Sequence, residues 1–416
     1  MANVASASEE PEEPEEVKTK KAKKEPASSK LAKLVKIDSV ELPAVKKTLS
    51  QIRNKLNKKA VNKAELASDK RAPDICPTGV VALDYGLKRM GLPRGRMGQI
   101  YGKEASWKST ICLRTICEVQ KRGGIAAYVD AERTFDPTWA KAQGIDLDQL
   151  LVLEPETAEE AFDQMTSLIN DAVDVIVLDS LVALSVKKEM FSDDKGTAES
   201  IQKEAMGVFG RKMSQWCRNS IGRIHKNNVL FIIINQLRDN LSMFGSPTTV
   251  PGGRAVKYYS SFNINMSKLS GAKNKLTNDA DEVVGARYHF VIDKLKTGVG
   301  GAEGEFNAYE GGTLDNFTSL FEIAIREGII VRDGDKSYSF GDKAFVGKPK
   351  VLTELVNNEQ FYNDIYEALL KKMNVTVAPF DPFAKSKRAE EVEEAEVALT
   401  PEEEESLNAE IDSTEE

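Results

Sequence analysis

The chain has 416 residues, which is enough for two or three domains and a sizeable buried core. Hydrophobic residues make up 41% and charged residues 29%, and no apolar run approaches the roughly 20 residues that a membrane span needs. The net charge of −8 is uneven, because residues 389–416 hold 13 acidic side chains and no basic one, which leaves +5 on residues 1–388. We therefore expect no membrane segment, while the mildly basic body allows nucleic acid as a partner.

The cysteines and the N-terminal residues indicate which cellular compartment to expect. The four cysteines stand in apolar contexts without C-x-x-C spacing, and only two histidines are present, so buried thiols are expected rather than a zinc site. The first residues lack the apolar core of a signal peptide, which favours a cytoplasmic protein.

The N-terminal part divides into two segments by composition. Residues 1–30 are rich in Glu and Pro and then in Lys, and are expected to be disordered. Residues 31–72 are basic and predict an amphipathic helix, because apolar residues recur at three- and four-residue spacing: Leu42, Val45, Leu49, Ile52 and Leu56. Two interpretations remain open, a helix packed on its own domain or an arm that docks on a neighbouring subunit.

From residue 73 onward, short apolar runs alternate with helix-length segments. The runs read as buried strands: MGQIYG, GIAAYVDAE, VDVIVLDS, VLFIIINQ and SSFNINMS. The alternation predicts an α/β fold with a mostly parallel sheet covered by helices on both faces. Ligands of such sheets bind beyond the carboxyl ends of the strands.

The stretch IYGKEASWKST has the spacing of a phosphate-binding loop, G-x-x-x-x-G-K-[ST], with Trp107 in place of the second glycine. A tryptophan held at positive φ there costs on the order of 1 to 3 kcal/mol, which surrounding structure can enforce. The predicted site takes ATP on backbone N–H groups and Lys108, and Mg²⁺ on Ser109. Its residues are Gly102, Lys103, Glu104, Ala105, Ser106, Trp107, Lys108, Ser109 and Thr110.

Two carboxylates complete the predicted catalytic set. VDVIVLDS ends in Asp179, the arrangement of a Walker B strand, whose aspartate holds the hydration shell of Mg²⁺. In YVDAERTFDPTWA, Glu132 follows another strand at the same sheet edge and can activate water, although a solvated surface glutamate stays open. Trp139 is either a core residue or a platform for base stacking.

From Pro73 to about Leu370 the chain resembles the RecA recombinases, and its details are most similar to the phage, UvsX-type, branch. The resemblance is carried by CPTGVVALDYGLKRMGLPRGRMGQIYG, DAERTFDP, VDVIVLDSLVAL, MSQWCR, IINQLR and MFGSPTTVPGGRAVKYY, in that order. It implies a P-loop ATPase core of the RecA type. An aromatic residue before the loop lysine is typical of the UvsX group, so the resemblance implies a working loop in which Trp107 is tolerated.

The resemblance also implies roles for single residues. Glu132 matches the catalytic glutamate, Asp179 the Walker B aspartate, and Gln236 the glutamine that senses the γ-phosphate. Asp136 and Trp139 match the pair that contacts adenine. Two lysines of VIDKLKTG lie two residues apart and so on one face of a strand end. These, Lys294 and Lys296, match a pair that reaches the γ-phosphate of the neighbouring subunit, with a solvated strand end as the alternative.

For DNA, the resemblance implies two loops, a first at about residues 192–206 and a second at 237–254. The matching DNA-binding positions are Met206, Arg211, Ser214, Arg218, Leu241, Met243, Gly252, Gly253 and Arg254. The glycines would let backbone N–H groups approach phosphates closely.

Five segments are thus predicted: a disordered charged N-terminus at 1–30, an oligomerisation arm at 31–72, the ATPase core at 73–308, a small α+β C-terminal domain at 309–376 and an acidic disordered tail at 377–416. The implied function is ATP-dependent homologous pairing by a helical filament on single-stranded DNA. Expected partners are duplex DNA, further copies of the chain, and single-strand-binding and mediator proteins, in the host cytoplasm if the chain is phage-encoded. The alternatives are a hexameric helicase or loader ATPase and a DNA-coating filament with impaired hydrolysis.

Overall fold

The computed structural model describes residues 72–184, 198–239, 248–249, 253–278, 280–334 and 336–375. The predicted N-terminus, the helix around Leu49 and the acidic tail lie outside these ranges. None of the described helices combines the length and apolar character that a membrane crossing requires.

The described chain begins with a short ladder beside a helix. Strands β1 (Ile75–Cys76) and β2 (Leu92–Pro93) pair antiparallel and flank α1 (Val81–Gly86).

A nine-stranded sheet follows, and its strands are β3 (Arg96–Gly102), β4 (Ala126–Asp130), β5 (Leu150–Leu153), β6 (Val175–Asp179), β7 (Leu230–Gln236), β10 (Phe262–Lys268), β11 (Lys275–Thr277), β12 (Val283–Leu295) and β13 (Ala302–Tyr309). The strands lie in the order β11-β12-β10-β3-β7-β6-β4-β5, with β13 on the other side of β12. From β10 to β5 the neighbours are parallel. The ladders of β12 with β10, β11 and β13 are antiparallel. The five strands predicted from apolar runs are confirmed, and the prediction of a mostly parallel sheet is confirmed as well.

Helices cover both faces of the parallel part. On one face lies α2 (Lys108–Gln120), whose Ile111 and Ile116 pack with apolar residues of β3, β6 and β7. The opposite face is covered by α4 (Ala158–Asn170) and α5 (Ala198–Lys226), where Met165 and Trp216 are buried against β6 and β7. Two shorter helices complete this part of the chain. The first, α3 (Pro137–Ala142), follows β4. The second, α6 (Gly253–Tyr259), follows a small antiparallel ladder of β8 (Arg238–Asp239) and β9 (Thr248–Thr249).

A second, smaller core lies after the sheet. It contains α7 (Asn316–Arg326), a three-stranded antiparallel sheet, and two final helices: β14 (Val331–Asp333), β15 (Ser337–Phe340), β16 (Lys343–Val346), α8 (Lys348–Asn357) and α9 (Glu359–Lys372). Val81 of α1 and Met90 are buried in the same cluster. The predicted domain boundary at residue 309 falls at the end of β13.

All four cysteines are buried free thiols, as the sequence predicts. Burial raises the pKa of Cys76 and of Cys217 to about 12, so both stay protonated at neutral pH.

Candidate functional site

The loop between β3 and α2 is shaped by one close contact at its start. A Cβ added at Gly102 would lie 2.0 Å from the carbonyl oxygen of Met266 on the neighbouring strand β10, so only glycine fits there. The chain then turns through residues 103–107, and α2 begins at Lys108. The first N–H groups of α2 have no partner within the helix, and they point to the place where a phosphate is expected.

Trp107, immediately before α2, adopts the left-handed conformation, with φ 68° and ψ 16°. The strain expected for a tryptophan in the glycine position is therefore present. The indole packs against two rings of the antiparallel strands, with centroids 5.5 Å from Tyr288 and 5.9 Å from Phe306. Aromatic contacts of this kind are worth about 0.5–1.5 kcal/mol each beyond the area buried, which is enough to offset much of the backbone cost.

Lys108 is buried under the loop, with 8% of its surface exposed. Its Nζ donates to the carbonyl oxygen of Lys103 at 2.6 Å and to Ser106 Oγ at 3.3 Å. Burial lowers the pKa of Lys108, while the charges of Asp179 and Glu132 oppose that shift. The ammonium is thus positioned by the loop itself, on the side where β and γ phosphates are expected.

Ser109 and Asp179 meet below the loop. Ser109 Oγ donates to Asp179 Oδ2 at 2.6 Å. Burial raises the pKa of Asp179, although hydrogen bonds from Ser109 and Tyr128 oppose the shift. A hydroxyl and a carboxylate are the hard oxygen donors that suit Mg²⁺, and a cation would balance this buried charge. The residues present therefore fit the ion that the sequence predicts.

Glu132 lies at the same sheet edge and is held by hydrogen bonds. Its Oε1 accepts from Gln236 Nε2 at 3.0 Å and from the hydroxyl of Ser180. The backbone N–H of Glu132 donates to the carbonyl oxygen of Asp179 at 3.3 Å. A half-buried, hydrogen-bonded carboxylate differs from the solvated surface glutamate that was the alternative.

Asp136 and Trp139 lie together on α3. The Asp136 carboxylate caps that helix, accepting from the N–H groups of Thr138 at 2.8 Å and Trp139 at 3.2 Å. Trp139 Nε1 lies 3.4 Å from Thr110 Oγ1, and its half-buried ring also packs on the core. The ring thus packs on the core and also lines a cavity of about 310 Å³, while base stacking by Trp139 stays a prediction. Other residues lining that cavity include Trp107, Lys268, Tyr288 and Tyr309.

Several of the residues that line this cavity were not predicted from the sequence. Lys268, Tyr288 and Tyr309 belong to β10, β12 and β13, more than a hundred residues beyond the phosphate loop. The parallel pairing of β10 with β3, and the antiparallel strands β12 and β13 beyond it, bring them back to the loop. Tyr128, whose hydroxyl reaches Asp179, was also missed, although its place two residues before Asp130 in a buried strand is a usable signal.

Three of the predicted DNA-binding residues form a stripe on α5. Arg211 and Arg218 are exposed and Ser214 is partly exposed, and their spacing of three and four residues places them on one helix face. The opposite face, with Met213 and Trp216, is buried. Leu241, Met243 and Gly252 lie outside the described residues, and for Met206, Gly253 and Arg254 only the helical backbone is described.

Lys294 and Lys296 converge on the end of α6. Lys294 Nζ donates to the carbonyl oxygens of Lys257 at 2.6 Å and Tyr258 at 3.2 Å, and Lys296 Nζ lies 3.4 Å from that of Tyr258. Desolvation and the nearby charges of Lys296 and Lys257 lower the pKa of Lys294. The expected pair therefore shares one face and holds the C-terminal end of a helix, where cations are favourable.

Comparisons with known proteins agree with the family resemblance found in the sequence. Residues 43–351 match the family model of the RecA N-terminal domain. The RecA protein of Symbiobacterium thermophilum is 35% identical over 348 residues, covering 82% of this chain and 96% of that protein. The RecA protein of Chloroherpeton thalassium is 38% identical over 301 residues, covering 72% and 81%.

A solved structure, described as the crystal structure of the RadB recombinase, aligns with a TM-score of 0.42 and 20% identity, covering 57% of this chain and 98% of that one. The family assignment depends on the sequence matches and not on this alignment. Since the family model and relatives above 30% identity each span most of the sequence, the chain belongs to the RecA family of recombinases.

Proposed function

We propose that the chain is an ATP-dependent recombinase, which assembles as a helical filament on single-stranded DNA and pairs it with a homologous duplex. The hydrogen bond between Glu132 and Gln236 is the observation that carries this proposal. Gln236 ends β7, where the chain passes into residues 237–254, the predicted second DNA loop. A change at the nucleotide can therefore reach the DNA through one hydrogen bond and one strand end.

ATP hydrolysis is assigned to the residues around the loop. Lys108 would contact the β and γ phosphates, and Glu132 would orient and deprotonate the attacking water. Mg²⁺, held by Ser109 and Asp179, would offset the negative charge that develops on the transferred phosphoryl group. Trp139 would stack on the base, with Asp136 at the start of the same helix.

DNA binding is assigned to two segments, the exposed face of α5 and the residues that follow β7. The stripe of Arg211, Ser214 and Arg218 offers two cations and a hydroxyl to phosphates, which predicts salt-dependent affinity. Residues 237–254 would supply the apolar wedges Leu241 and Met243 and the phosphate-contacting Gly252, Gly253 and Arg254. Met206 would extend the first surface.

Filament formation, the domain roles and the phage origin are further proposals. Lys294 and Lys296 would stabilise the charge on the transferred phosphoryl group in the neighbouring subunit, which would make turnover depend on assembly. Residues 31–72 would dock on that neighbour, residues 309–376 would accept duplex DNA, and residues 377–416 would restrain that binding. The UvsX-type assignment relies on Trp107 and on the quoted motifs, whereas the relatives reported above are bacterial. Single-strand-binding and mediator proteins are expected as partners.

The test is ATP turnover with and without single-stranded DNA. We expect turnover to rise strongly with single-stranded DNA and to be lost in Lys108→Ala, which removes the cation nearest the transferred phosphoryl oxygens. Lys121→Ala is the matched control, because this exposed lysine follows the far end of α2 and forms an ion pair with Glu118. Duplex unwinding coupled to turnover would instead identify a helicase, and DNA binding without any turnover would identify a coating filament.

A further inference from the structure

Tyr128 donates a hydrogen bond to the oxygen of Asp179 that also accepts from Ser109. The phenol hydroxyl lies 2.5 Å from Asp179 Oδ2, and Ser109 Oγ lies 2.6 Å from the same atom. Two hydroxyl donors thus converge on one oxygen of the carboxylate that fits Mg²⁺.

The contact follows from the pairing of two parallel strands. Tyr128 of β4 is paired with Val177 of β6, and Asp130 with Asp179. Side chains two residues apart share a face of a strand, so Tyr128 lies on the same face as Asp130 and its paired residue Asp179. This is the face of the sheet that α2 covers. A tyrosine is long enough to reach past one residue of β6 to the carboxylate.

The ring of Tyr128 is held firmly. Only 4% of the residue is exposed, and its ring centroid lies 5.4 Å from that of Phe135. Phe135 is itself fixed, because its backbone N–H donates to Asp130 Oδ2 at 2.7 Å. The hydroxyl therefore has little freedom to turn away from Asp179.

We propose that Tyr128 is a positioning residue for the metal-binding carboxylate, an inference that rests on the proposed function. The Ser109 hydroxyl is a predicted Mg²⁺ ligand, and it would bind the ion through an oxygen lone pair while its proton stays available to Asp179. Tyr128 is the second donor on Oδ2, and because its ring is fixed it holds the carboxylate in one orientation. Hydrogen-bonded partners of metal ligands commonly change metal affinity by tenfold or more when removed.

The variant that tests this is Tyr128→Phe, which removes one oxygen atom and keeps the ring against Phe135. Its matched control is Tyr338→Phe, a change at another buried tyrosine in the smaller C-terminal core. Binding of a fluorescent ATP analogue is measured in EDTA and across a Mg²⁺ titration, and Mn²⁺ binding in the presence of the nucleotide is followed by electron paramagnetic resonance.

We expect Tyr128→Phe to raise the Mg²⁺ and Mn²⁺ concentrations for half-saturation about tenfold. Nucleotide affinity in EDTA should stay within about twofold, and kcat should return towards the wild-type value at saturating Mg²⁺, because the hydroxyl acts through the ion. Tyr338→Phe should leave both metal titrations unchanged.

The outcomes separate the two claims. Superimposable metal titrations for wild type and Tyr128→Phe would overturn the positioning role, even if the melting temperature fell. A wild-type chain whose nucleotide affinity does not respond to Mg²⁺ at all would count against the proposed ATP site itself.

Discussion

At the scale of single residues, Trp107 shows how the loop between β3 and α2 accommodates a tryptophan in place of the second glycine. The residue sits at φ 68°, where a side chain is strained, and packs against Tyr288 and Phe306. Backbone conformation favours glycine at this position, while the aromatic contacts favour tryptophan. The two preferences can be separated by substitution.

Trp107→Gly should keep ATP turnover within about tenfold of wild type, because glycine adopts the left-handed conformation without strain. Both Trp107→Ala and Trp107→Gly lose the ring contacts, but only alanine keeps the backbone strain of the left-handed conformation. Trp107→Ala should therefore be less stable than Trp107→Gly by about 1 kcal/mol. Thermal unfolding and kcat measured side by side test both statements. A hundredfold loss in Trp107→Gly would assign the ring a direct role in catalysis.

Glu132→Gln should bind ATP but hydrolyse it very slowly, because the amide keeps the size and the hydrogen bonding of the side chain but cannot take a proton. The filament should then stay on single-stranded DNA in ATP. Dissociation after ATP is diluted can be followed with labelled DNA, with Glu156→Gln, a change at an exposed glutamate outside the predicted site, as a control. Rapid release by Glu132→Gln would contradict the assigned role.

The sequence predicts the principal charged groups of the site but not all of their neighbours. Lys108, Ser109 and Asp179 could be identified because each follows or ends a strongly apolar strand at a recognised spacing. The bond from Tyr128 to Asp179 could not, because it depends on the register between β4 and β6. The packing of Trp107 depends similarly on strands that are remote in sequence.

At the scale of elements, α1 is oriented by a buried carboxylate. Asp84 accepts from the N–H of Thr78 at 2.9 Å and from its hydroxyl at 2.8 Å, which folds the preceding chain onto the helix. Burial raises the pKa of Asp84 from 3.8 to about 7, against the opposing effect of these hydrogen bonds. The folded chain therefore binds this proton more tightly than the unfolded chain.

That difference predicts a pH dependence of stability. The contribution of Asp84 is fully present below its unfolded pKa and is lost as the pH rises towards 7, by up to about 1.4 kcal/mol per pH unit. Asp84→Asn has no proton to lose, so its stability relative to wild type should improve over this range. Denaturant unfolding across the pH range provides the comparison, and parallel curves for the two proteins would show that Asp84 does not titrate there.

Element prediction succeeded where the apolar signal was continuous. Strands such as β6 and β7 are buried on both faces and rich in Ile and Val, so composition alone indicates them. In β12 buried and partly buried residues alternate over much of its length, and only its end, VIDKLKTG, was recognised as strand. Its antiparallel direction depends on pairing partners on both sides, which local patterns do not contain.

At the scale of the whole molecule, turnover is expected to need two subunits. Changing both Lys294 and Lys296 to Ala should leave ATP binding by the single chain nearly intact and abolish DNA-stimulated hydrolysis, because the charge for the neighbouring site is missing. Mixing this variant with Lys108→Ala should restore some activity at interfaces that pair an intact loop with intact lysines. No recovery at any ratio, despite demonstrated co-assembly, would argue against a shared site.

The charge distribution predicts a regulatory tail. Removing residues 389–416 deletes 13 carboxylates that compete with phosphates for the same basic side chains. Affinity for duplex DNA should therefore increase and depend less on Mg²⁺ and salt. A titration with labelled duplex at several salt concentrations measures this, and unchanged affinity throughout would reduce the tail to a role in solubility.

Joint-molecule formation between a circular single strand and a linear duplex tests the central claim most directly. The account predicts joint molecules only with ATP and Mg²⁺ and only when the duplex is homologous, with none formed by Lys108→Ala. A wild-type chain that binds single-stranded DNA and hydrolyses ATP on it, yet forms no joint molecules with homologous duplex, would contradict the assignment as a strand-exchange recombinase.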